Sequence, residues 1–197
     1  MNKSLLDYKR YKWFFTQSGK LVIGGKNAEQ NEELLNTLKS SQKNYIVMHT
    51  AEPGSPFCII LDDIKNITKQ DKEECAIFTG CFSRAWRSGK STAFVHIFEM
   101  KQLYKDVREK IGTWKVVGNI DKINVPLKLI LTKQKGVLRA IPPSSLKKIE
   151  KPLLTIFPGK TQKEKIATAI AILLNGEIKL QEIISSLPSG GARLSTK

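Results

Sequence analysis

The chain has 197 residues, of which 41% are hydrophobic and 26% charged, a composition typical of globular rather than disordered proteins. Its 33 lysine and arginine residues against 18 aspartate and glutamate residues give a net charge of +15, which predicts a polyanionic partner. No apolar run approaches the roughly 18 residues of a membrane span and the N-terminus lacks the apolar segment of a signal peptide, so we expect a cytoplasmic protein without a membrane partner.

The first part of the chain predicts a β-hairpin, a helix and two short strands. Aromatic and β-branched residues on both sides of a polar turn indicate the hairpin. Two glycines end its second arm, and Asn27 offers an N-cap for the helix, with Gln30 at the matching third position. The predicted elements are the hairpin arms 11–15 and 21–23, a helix from 28 to about 39, and strands at 45–48 and 57–61.

The middle of the chain predicts a second helix and then a sheet-rich region. Thr68 and Asp71 have the spacing of a capping box, and apolar residues recur three and four positions apart as far as Trp86. Arg84 and Arg87 would then lie at the end of this helix, where they suit the helix dipole. A strand is predicted at 92–98 and, after a lysine-rich connector, β-prone stretches lie near 113–118, 125–132 and 136–141.

After Pro142-Pro143 the character of the sequence changes. Residues 144–160 predict a linker, and two amphipathic segments joined by Asn175-Gly176 predict a helical hairpin at 161–187. The last residues, 188–197, are expected to form a flexible tail. The fold class predicted from these elements is α+β, with a mixed, largely antiparallel sheet flanked by helices and a C-terminal helical hairpin.

Positive charge is concentrated in two stretches of the sequence. Residues 1–26 carry six basic residues and one acidic residue, and residues 84–165 carry nineteen and six. If these stretches are neighbours in the fold, they form one basic surface suited to nucleic acid. The alternative is that lysine is spread over every solvated face.

The start of the chain offers cations and aromatic rings together. Basic residues alternate with Tyr8, Tyr11 and Trp13, which suits phosphates and unstacked bases respectively. The paired glycines then lead into a helix N-terminus, where backbone N–H groups could approach an anion. The alternative is that the aromatic residues belong to the core and the glycines form a tight turn. The candidate binding residues of this segment are Lys9, Arg10, Lys12, Trp13, Gly24, Gly25, Lys26 and Asn27.

A second candidate cluster consists of Arg84, Arg87 and Lys90. The two arginines are three residues apart and share a helix face, so both could reach one phosphate path. Two sequences mimic phosphate-binding loops: Ser-Gly-Lys-Ser at 88–91, which overlaps this cluster, and Pro-Gly-Lys-Thr at 158–161. Neither has the glycine that a nucleotide-binding P-loop carries five residues before its Gly-Lys step, so we do not expect nucleotide hydrolysis.

Catalytic and metal-binding residue types are few. His49 and His96 could form an acid–base pair or a metal site, with Glu52, Asp62 and Asp63 as possible companions, but their spacing does not require one. The three cysteines, Cys58, Cys75 and Cys81, lie in apolar contexts without the paired spacings of a zinc site. We therefore expect buried thiols in a reducing compartment and no cofactor.

The stretch KWFFTQSGKLVIGGKNAEQNEELL resembles the opening signature of the NFACT-R family, the predicted RNA-binding module of NFACT ribosome quality-control proteins. His49 followed by Gly54-Ser55, the motif CFSRAW at 81–86 and Ile-Pro-Pro at 141–143 follow in family order. The family's usual aspartate after the histidine is absent, and Glu52 is the carboxylate that could replace it. The connector from Glu99 to Lys115 matches the family poorly.

The resemblance implies an NFACT-R-like RNA-binding domain at 1–143 and a non-catalytic protein that recognises transfer RNA or ribosomal RNA in translation or ribosome-associated quality control. His49 and Trp13 would stack on bases, while the basic residues neutralise phosphates. One alternative is an RNA-processing or RNA-modifying enzyme that uses His49 and Glu52. Another is an adaptor whose C-terminal hairpin recruits such an enzyme.

Overall fold

The computed structural model describes residues 7–148 and 151–195 of the chain. Two antiparallel sheets of six and four strands and a two-stranded ribbon pack with five α-helices in these residues, which confirms the predicted α+β class. The strands are β1 Lys12–Phe15, β2 Leu21–Gly24, β3 Ile46–Thr50, β4 Cys58–Ile60, β5 Thr92–Glu99, β6 Leu103–Tyr104, β7 Lys115–Val116, β8 Asp121–Pro126, β9 Leu129–Gln134, β10 Val137–Ile141, β11 Leu154–Thr161 and β12 Ala192–Leu194. The helices are α1 Ala28–Ser40, α2 Lys69–Cys81, α3 Arg84–Arg87, α4 Lys163–Leu173 and α5 Leu180–Ser186.

The six-stranded sheet has the order β1-β2-β4-β3-β5-β8 and carries a helix on each face. Because side chains alternate along a strand, successive residues of β1 enter different cores. Phe14 packs with Phe78 of α2, with ring centroids 4.6 Å apart, whereas Trp13 belongs to the core that contains Leu34 and Leu35 of α1. The register Trp13 to Ile23 confirms the predicted hairpin.

The helix starts follow the predicted caps, but the end of α2 does not follow the prediction. Asn27 accepts a hydrogen bond from the Gln30 N–H at 2.8 Å, and Thr68 and Asp71 form the predicted capping box. The helix ends at Cys81, and the Ser83 hydroxyl caps the separate helix α3 by accepting from Ala85 N. Arg84 and Arg87 therefore belong to α3, and the prediction that they end α2 and complement its dipole is wrong.

The four-stranded sheet has the order β10-β9-β11-β12 and corrects two predictions. Strand β11 occupies the end of the predicted linker, and β12 lies in the predicted flexible tail. Ile156 of β11 is fully buried and pairs with Leu129, so the segment is held by partners distant in sequence. Residues 149–150 of the linker and 196–197 of the tail, like residues 1–6, lie outside the described residues.

The predicted stretch 125–132 is divided between two strands. It contains the end of β8 at Pro126 and the start of β9 at Leu129, with the chain passing from the first sheet to the second between them. The two sheets are joined again at the edge of β1, where the Gln134 side chain accepts from Phe15 N at 2.8 Å and donates to Phe15 O at 2.9 Å. This amide satisfies the backbone N–H and C=O of Phe15 on the edge strand and fixes the second sheet beside the hairpin.

The C-terminal helices α4 and α5 form the predicted hairpin. Asn175 and Gly176, with φ of +51° and +72°, make the turn between the helices in the left-handed conformation that asparagine and glycine tolerate. Ile166, Ile170 and Ile183 are buried in the core that also contains α2. The hairpin is therefore continuous with the main core of the protein.

Candidate nucleic-acid interface

A groove of about 610 Å³ lies at the end of the first sheet where β1 starts and β2 and β3 end; we call it the sheet-end groove. One wall is the start of α1, and a second is the loop between β3 and β4. The junction of α2 and α3 and the connector between β5 and β8 complete it. The lining residues that matter for binding are Lys12, Lys26, His49, Phe57, Phe82, Arg87 and Trp114.

The sheet-end groove has an excess of positive charge. Its lining includes Lys12, Lys26 and Arg87 and, among the residues that the structure describes, no aspartate or glutamate. The Lys12 ammonium lies 5.0 Å from the centroid of the Phe82 ring and has no carboxylate partner in the described part of the chain. Burial, followed by repulsion from Lys163, lowers the pKa of Lys12 to about 8. An anion that entered the groove would relieve this repulsion.

Aromatic rings line the same groove. The rings of His49 and Phe57 lie 4.5 Å apart, and Trp114 and Phe82 are further along the lining. The His49 Nδ1–H donates to the Thr50 carbonyl at 2.7 Å, which fixes the orientation of the imidazole. Burial lowers the pKa of His49 below its ordinary value, so the ring is neutral at pH 7. Rings and cations therefore converge as the recognition of unstacked nucleotides requires.

The connector wall is held by one carboxylate of α1. Glu32 Oε2 accepts from Gly112 N at 2.9 Å, from Lys105 Nζ at 3.0 Å and from Trp114 Nε1 at 3.1 Å. Burial alone would raise the pKa of Glu32, but these donors outweigh it and lower the pKa. Trp114 is a site residue that the sequence analysis missed, because its partner Glu32 lies 82 positions away.

Trp13 does not line the groove. Its side chain is 1% exposed and lies against Arg139, whose guanidinium carbon is 4.6 Å from the ring centroid. The alternation of β1 turns Trp13 and Tyr11 toward α1 and Lys12 toward the other face. The prediction that Trp13 stacks on bases is therefore wrong, whereas Lys12 lies in the groove.

The glycines at the start of α1 serve packing rather than anion binding. A Cβ at Gly25 would collide with the Asn31 side chain, and one at Gly24 would come within 2.9 Å of the Cys58 sulfur. The Lys26 N–H already donates to the Gln30 side-chain oxygen at 3.1 Å, and the Gln30 N–H donates to the Asn27 side-chain oxygen at 2.8 Å. These two N–H groups are therefore occupied, contrary to the expectation of a backbone anion site.

Four predicted cations lie outside the sheet-end groove. Lys9 and Arg10 are exposed in the 3-10 turn before β1, and the Arg10 guanidinium is 3.8 Å from the carboxylate of Glu33. Arg84 lies beside the loop after β3, where its N–H donates to the Gly54 carbonyl at 2.9 Å. Lys90 pairs with Glu52 at 2.9 Å. The structure thus brings together Lys12, Lys26, Asn27, Gly25, His49 and Arg87 from the predicted set.

The candidate catalytic pair is divided between two environments. His49 lines the groove beside its cross-strand neighbour His96, whereas the Glu52 carboxylate is exposed and bound by Lys90. Within 7–148 and 151–195, no group of three histidine, cysteine, aspartate or glutamate side chains is placed to hold a metal ion. The three cysteines are buried and unpaired, as expected. No helix in the described ranges is long and apolar enough to cross a membrane.

Comparison with known proteins identifies the family of the chain. The sequence model of the family described as "NFACT protein RNA binding domain" matches residues 10–116, a range that holds all of the sheet-end groove except Ser189. Because the match covers more than half of the chain, the protein belongs to the NFACT RNA-binding domain family.

Two individual proteins are similar to parts of the chain. The chain is 28% identical over 200 residues to the archaeal Rqc2 homolog aRqcH of Methanocaldococcus jannaschii, covering 96% of this chain and 29% of that protein. The solved C-terminal part of the fibronectin/fibrinogen-binding protein from Streptococcus suis has the same fold, with a TM-score of 0.52 and 22% identity. That likeness covers 63% of this chain and 48% of the streptococcal one, so the chain spans only part of either relative.

Proposed function

We propose that this protein binds RNA in the sheet-end groove and acts in translation, within ribosome-associated quality control, without catalysing a reaction. The observation that carries the proposal is the convergence of three cations with aromatic rings in one groove, whose described lining residues include no carboxylate. The membership of the family supports RNA as the polyanion, and the name of the archaeal relative supports quality control.

In the proposed mode of binding, phosphates contact Lys12, Lys26 and Arg87, while bases stack on His49 and Trp114. Both rings are partly exposed and neutral, so stacking and charge neutralisation use separate groups. Because stacking needs an unpaired base, the proposed substrate is an unpaired segment of transfer RNA or ribosomal RNA in the cytoplasm. RNA and the ribosome are then the proposed partners.

The salt dependence of RNA binding tests the groove. The double variant Lys12→Met, Arg87→Gln removes two charges but keeps most of the side-chain volume. We expect the slope of log K against log salt to become shallower by about 1.4, since each contact on a single strand contributes about 0.7. The matched control, Lys65→Met with Lys133→Gln, removes two charges from exposed positions outside the groove. Equal slopes for the two double variants would contradict the proposed site.

Crosslinking in cells, followed by sequencing of the bound RNA, tests the class of RNA. We expect reads from transfer RNA or ribosomal RNA, and we expect them to decrease in the Lys12→Met, Arg87→Gln variant more than in its control. Reads confined to messenger RNA would overturn the proposed substrate. Crosslinks that persist unchanged in the variant would instead assign the binding to another surface.

The non-catalytic part of the proposal has its own test. Labelled transfer RNA incubated with the protein and Mg²⁺ or Mn²⁺ is expected to remain unchanged, because the Glu52 carboxylate is bound by Lys90 outside the groove. A product that forms with the natural protein and disappears in His49→Ala would show that the protein is an enzyme.

A further inference from the structure

A second groove, of about 840 Å³, adjoins the first and is formed largely by the C-terminal part of the chain. We call it the glycine groove, because Gly89, Gly159, Gly190 and Gly191 line it. Its lining includes parts of both sequences that mimic phosphate-binding loops, Ser88-Gly89 on one side and Gly159-Lys160 on the other. The fold therefore brings Gly89 and the Gly159-Lys160 step, which lie about 70 positions apart in the sequence, to one groove, while Lys90 pairs with Glu52 outside it.

Close contacts hold the C-terminal wall of the glycine groove against α3. The indole N–H of the fully buried Trp86 donates to the Gly191 carbonyl at 3.0 Å, and the Gly159 N–H donates to the same carbonyl at 3.3 Å. Gly190, with φ of +104°, lies so close to Arg87 that a Cβ would come within 2.8 Å of the Arg87 Cα. The two walls are thus packed into one surface.

The charge of the glycine groove is also positive. Arg87, Lys160 and Lys163 line it, with Glu164 as the one carboxylate among the described lining residues. The Lys163 ammonium donates to the Leu187 carbonyl at 3.1 Å, and Lys160 has no ion-pair partner within the part of the chain that the structure describes. Lys163 is also near enough to Lys12 to contribute to its lowered pKa, which connects the charges of the two grooves.

The two grooves differ in chemistry and share a border. Arg87 and Ser189 line both of them, so a bound chain can pass from one to the other without leaving the surface. In contrast to the sheet-end groove, the glycine groove has no aromatic side chain among its described lining residues. It offers cations, hydroxyls and backbone, which suit phosphate and ribose but provide no platform for a base.

We propose that the glycine groove is a second RNA-binding surface, in which Lys160, Lys163 and the shared Arg87 hold the sugar-phosphate backbone of a strand that leaves the sheet-end groove. This inference rests on the proposed function and extends it to residues beyond the family match at 10–116. A strand that occupies both grooves must be longer than one that occupies the sheet-end groove alone. Its contacts in the glycine groove do not depend on base identity.

Oligouridylates of two lengths test the path, because a strand of about 4 nucleotides occupies one groove and a strand of about 12 can occupy both. The test variant is Lys160→Ala with Lys163→Gln, since glutamine retains an N–H donor toward the Leu187 carbonyl. We expect it to weaken binding of the long strand about tenfold and to reduce its salt slope by about 1.4, with binding of the short strand unchanged. The control is Lys165→Ala with Lys179→Gln, two exposed lysines of the same C-terminal part that line neither groove.

The outcomes separate this inference from the proposed function. If the test variant binds the long strand as its control does, while Lys12→Met with Arg87→Gln weakens binding, the glycine groove is overturned and the proposed function stands. If the natural protein binds neither strand, the proposed function itself fails. Should Lys163→Gln lower the thermal stability, the exposed Lys160→Glu reverses one charge and gives the same comparison without disturbing the core.

Discussion

The two grooves carry similar charge but are built in different ways. The sheet-end groove combines three cations with rings held on strands and on an anchored connector, whereas the glycine groove combines cations with glycine and serine backbone. Rings require a rigid support to meet a base at a fixed angle, while a phosphate can be met by flexible lysines from several directions. Charge alone therefore does not distinguish the two surfaces, but among the described lining residues only those of the sheet-end groove include aromatic rings on which a base could stack.

The largest effect is expected from substitution of Glu32, which holds the connector between β5 and β8, with its Trp114 ring, against α1. Glu32→Ala leaves the Gly112 and Trp114 N–H donors unpaired, and we expect a loss of about 3 kcal/mol in the free energy of unfolding by urea titration. Binding in the sheet-end groove should weaken, because the connector is released. The long-strand contribution of Lys160 and Lys163 should persist, because the glycine groove does not contact this connector.

The neighbouring Glu33 provides the control for this substitution. Its carboxylate is about half exposed and pairs with Arg10 at 3.8 Å, so Glu33→Ala should cost less than about 1 kcal/mol. The pH dependence gives a second readout. Because the pKa of Glu32 is lowered in the folded protein, its contribution is present above about pH 4.3 and is lost as the pH falls. A loss in Glu33→Ala equal to that in Glu32→Ala would contradict the anchoring role.

The sequence predicted the elements that depend on local signals. The hairpin, the Asn27 cap and the Thr68–Asp71 capping box were found because a few neighbouring residues determine each of them. Strands β11 and β12 were missed because their support is distant: Leu154 pairs with Leu131, and Ile156 pairs with Leu194. The pairing of β11 with β12 also contains a β-bulge between Pro158 and Thr161, which interrupts the regular register.

The site was predictable only in part for the same reason. Alternation along β1 shows that Lys12 and Trp13 face opposite ways, but it does not show which face α1 will bury. Trp114 lies in a connector without a periodic pattern and becomes a groove residue only through Glu32 of α1. Ser88-Gly89 and Gly159-Lys160 were recognised as phosphate-like separately, and only the tertiary fold brings them to one surface.

A smaller effect, on RNA affinity, is expected from substitution of Trp114. This substitution tests whether base contacts are confined to the sheet-end groove. Trp114→Ala should weaken binding of a short oligouridylate by about 1 to 2 kcal/mol without changing the salt slope, because stacking releases no counterion. An abasic oligomer of the same length should bind the natural protein and the variant alike. Trp114→Phe keeps a ring and controls for the loss of the Glu32 hydrogen bond. A changed slope in Trp114→Ala would show that the indole instead positions a cation.

The smallest expected effect is a pH dependence that originates from Lys12. Burial and the neighbouring cations lower the pKa of Lys12 from 10.5 to about 8, so the folded protein holds fewer protons than the unfolded chain between these values. The stability of the free protein should therefore rise with pH across that window. RNA affinity should change in the opposite direction and fall about fivefold as the pH rises from 7 to 9, because a phosphate contact requires the ammonium form.

Two variants separate this effect from other titrations. Lys12→Arg keeps the charge at every pH used, since the guanidinium remains protonated, and should bind RNA with little pH dependence. Lys12→Met should bind more weakly and also lose most of the pH dependence. Lys163 has a lowered pKa through burial and belongs to the glycine groove, so its own loss of a phosphate contact should add to the pH dependence of the long strand. A pH dependence for the short strand that persists in both Lys12 variants would place the titrating group elsewhere and would remove Lys12 from the phosphate path.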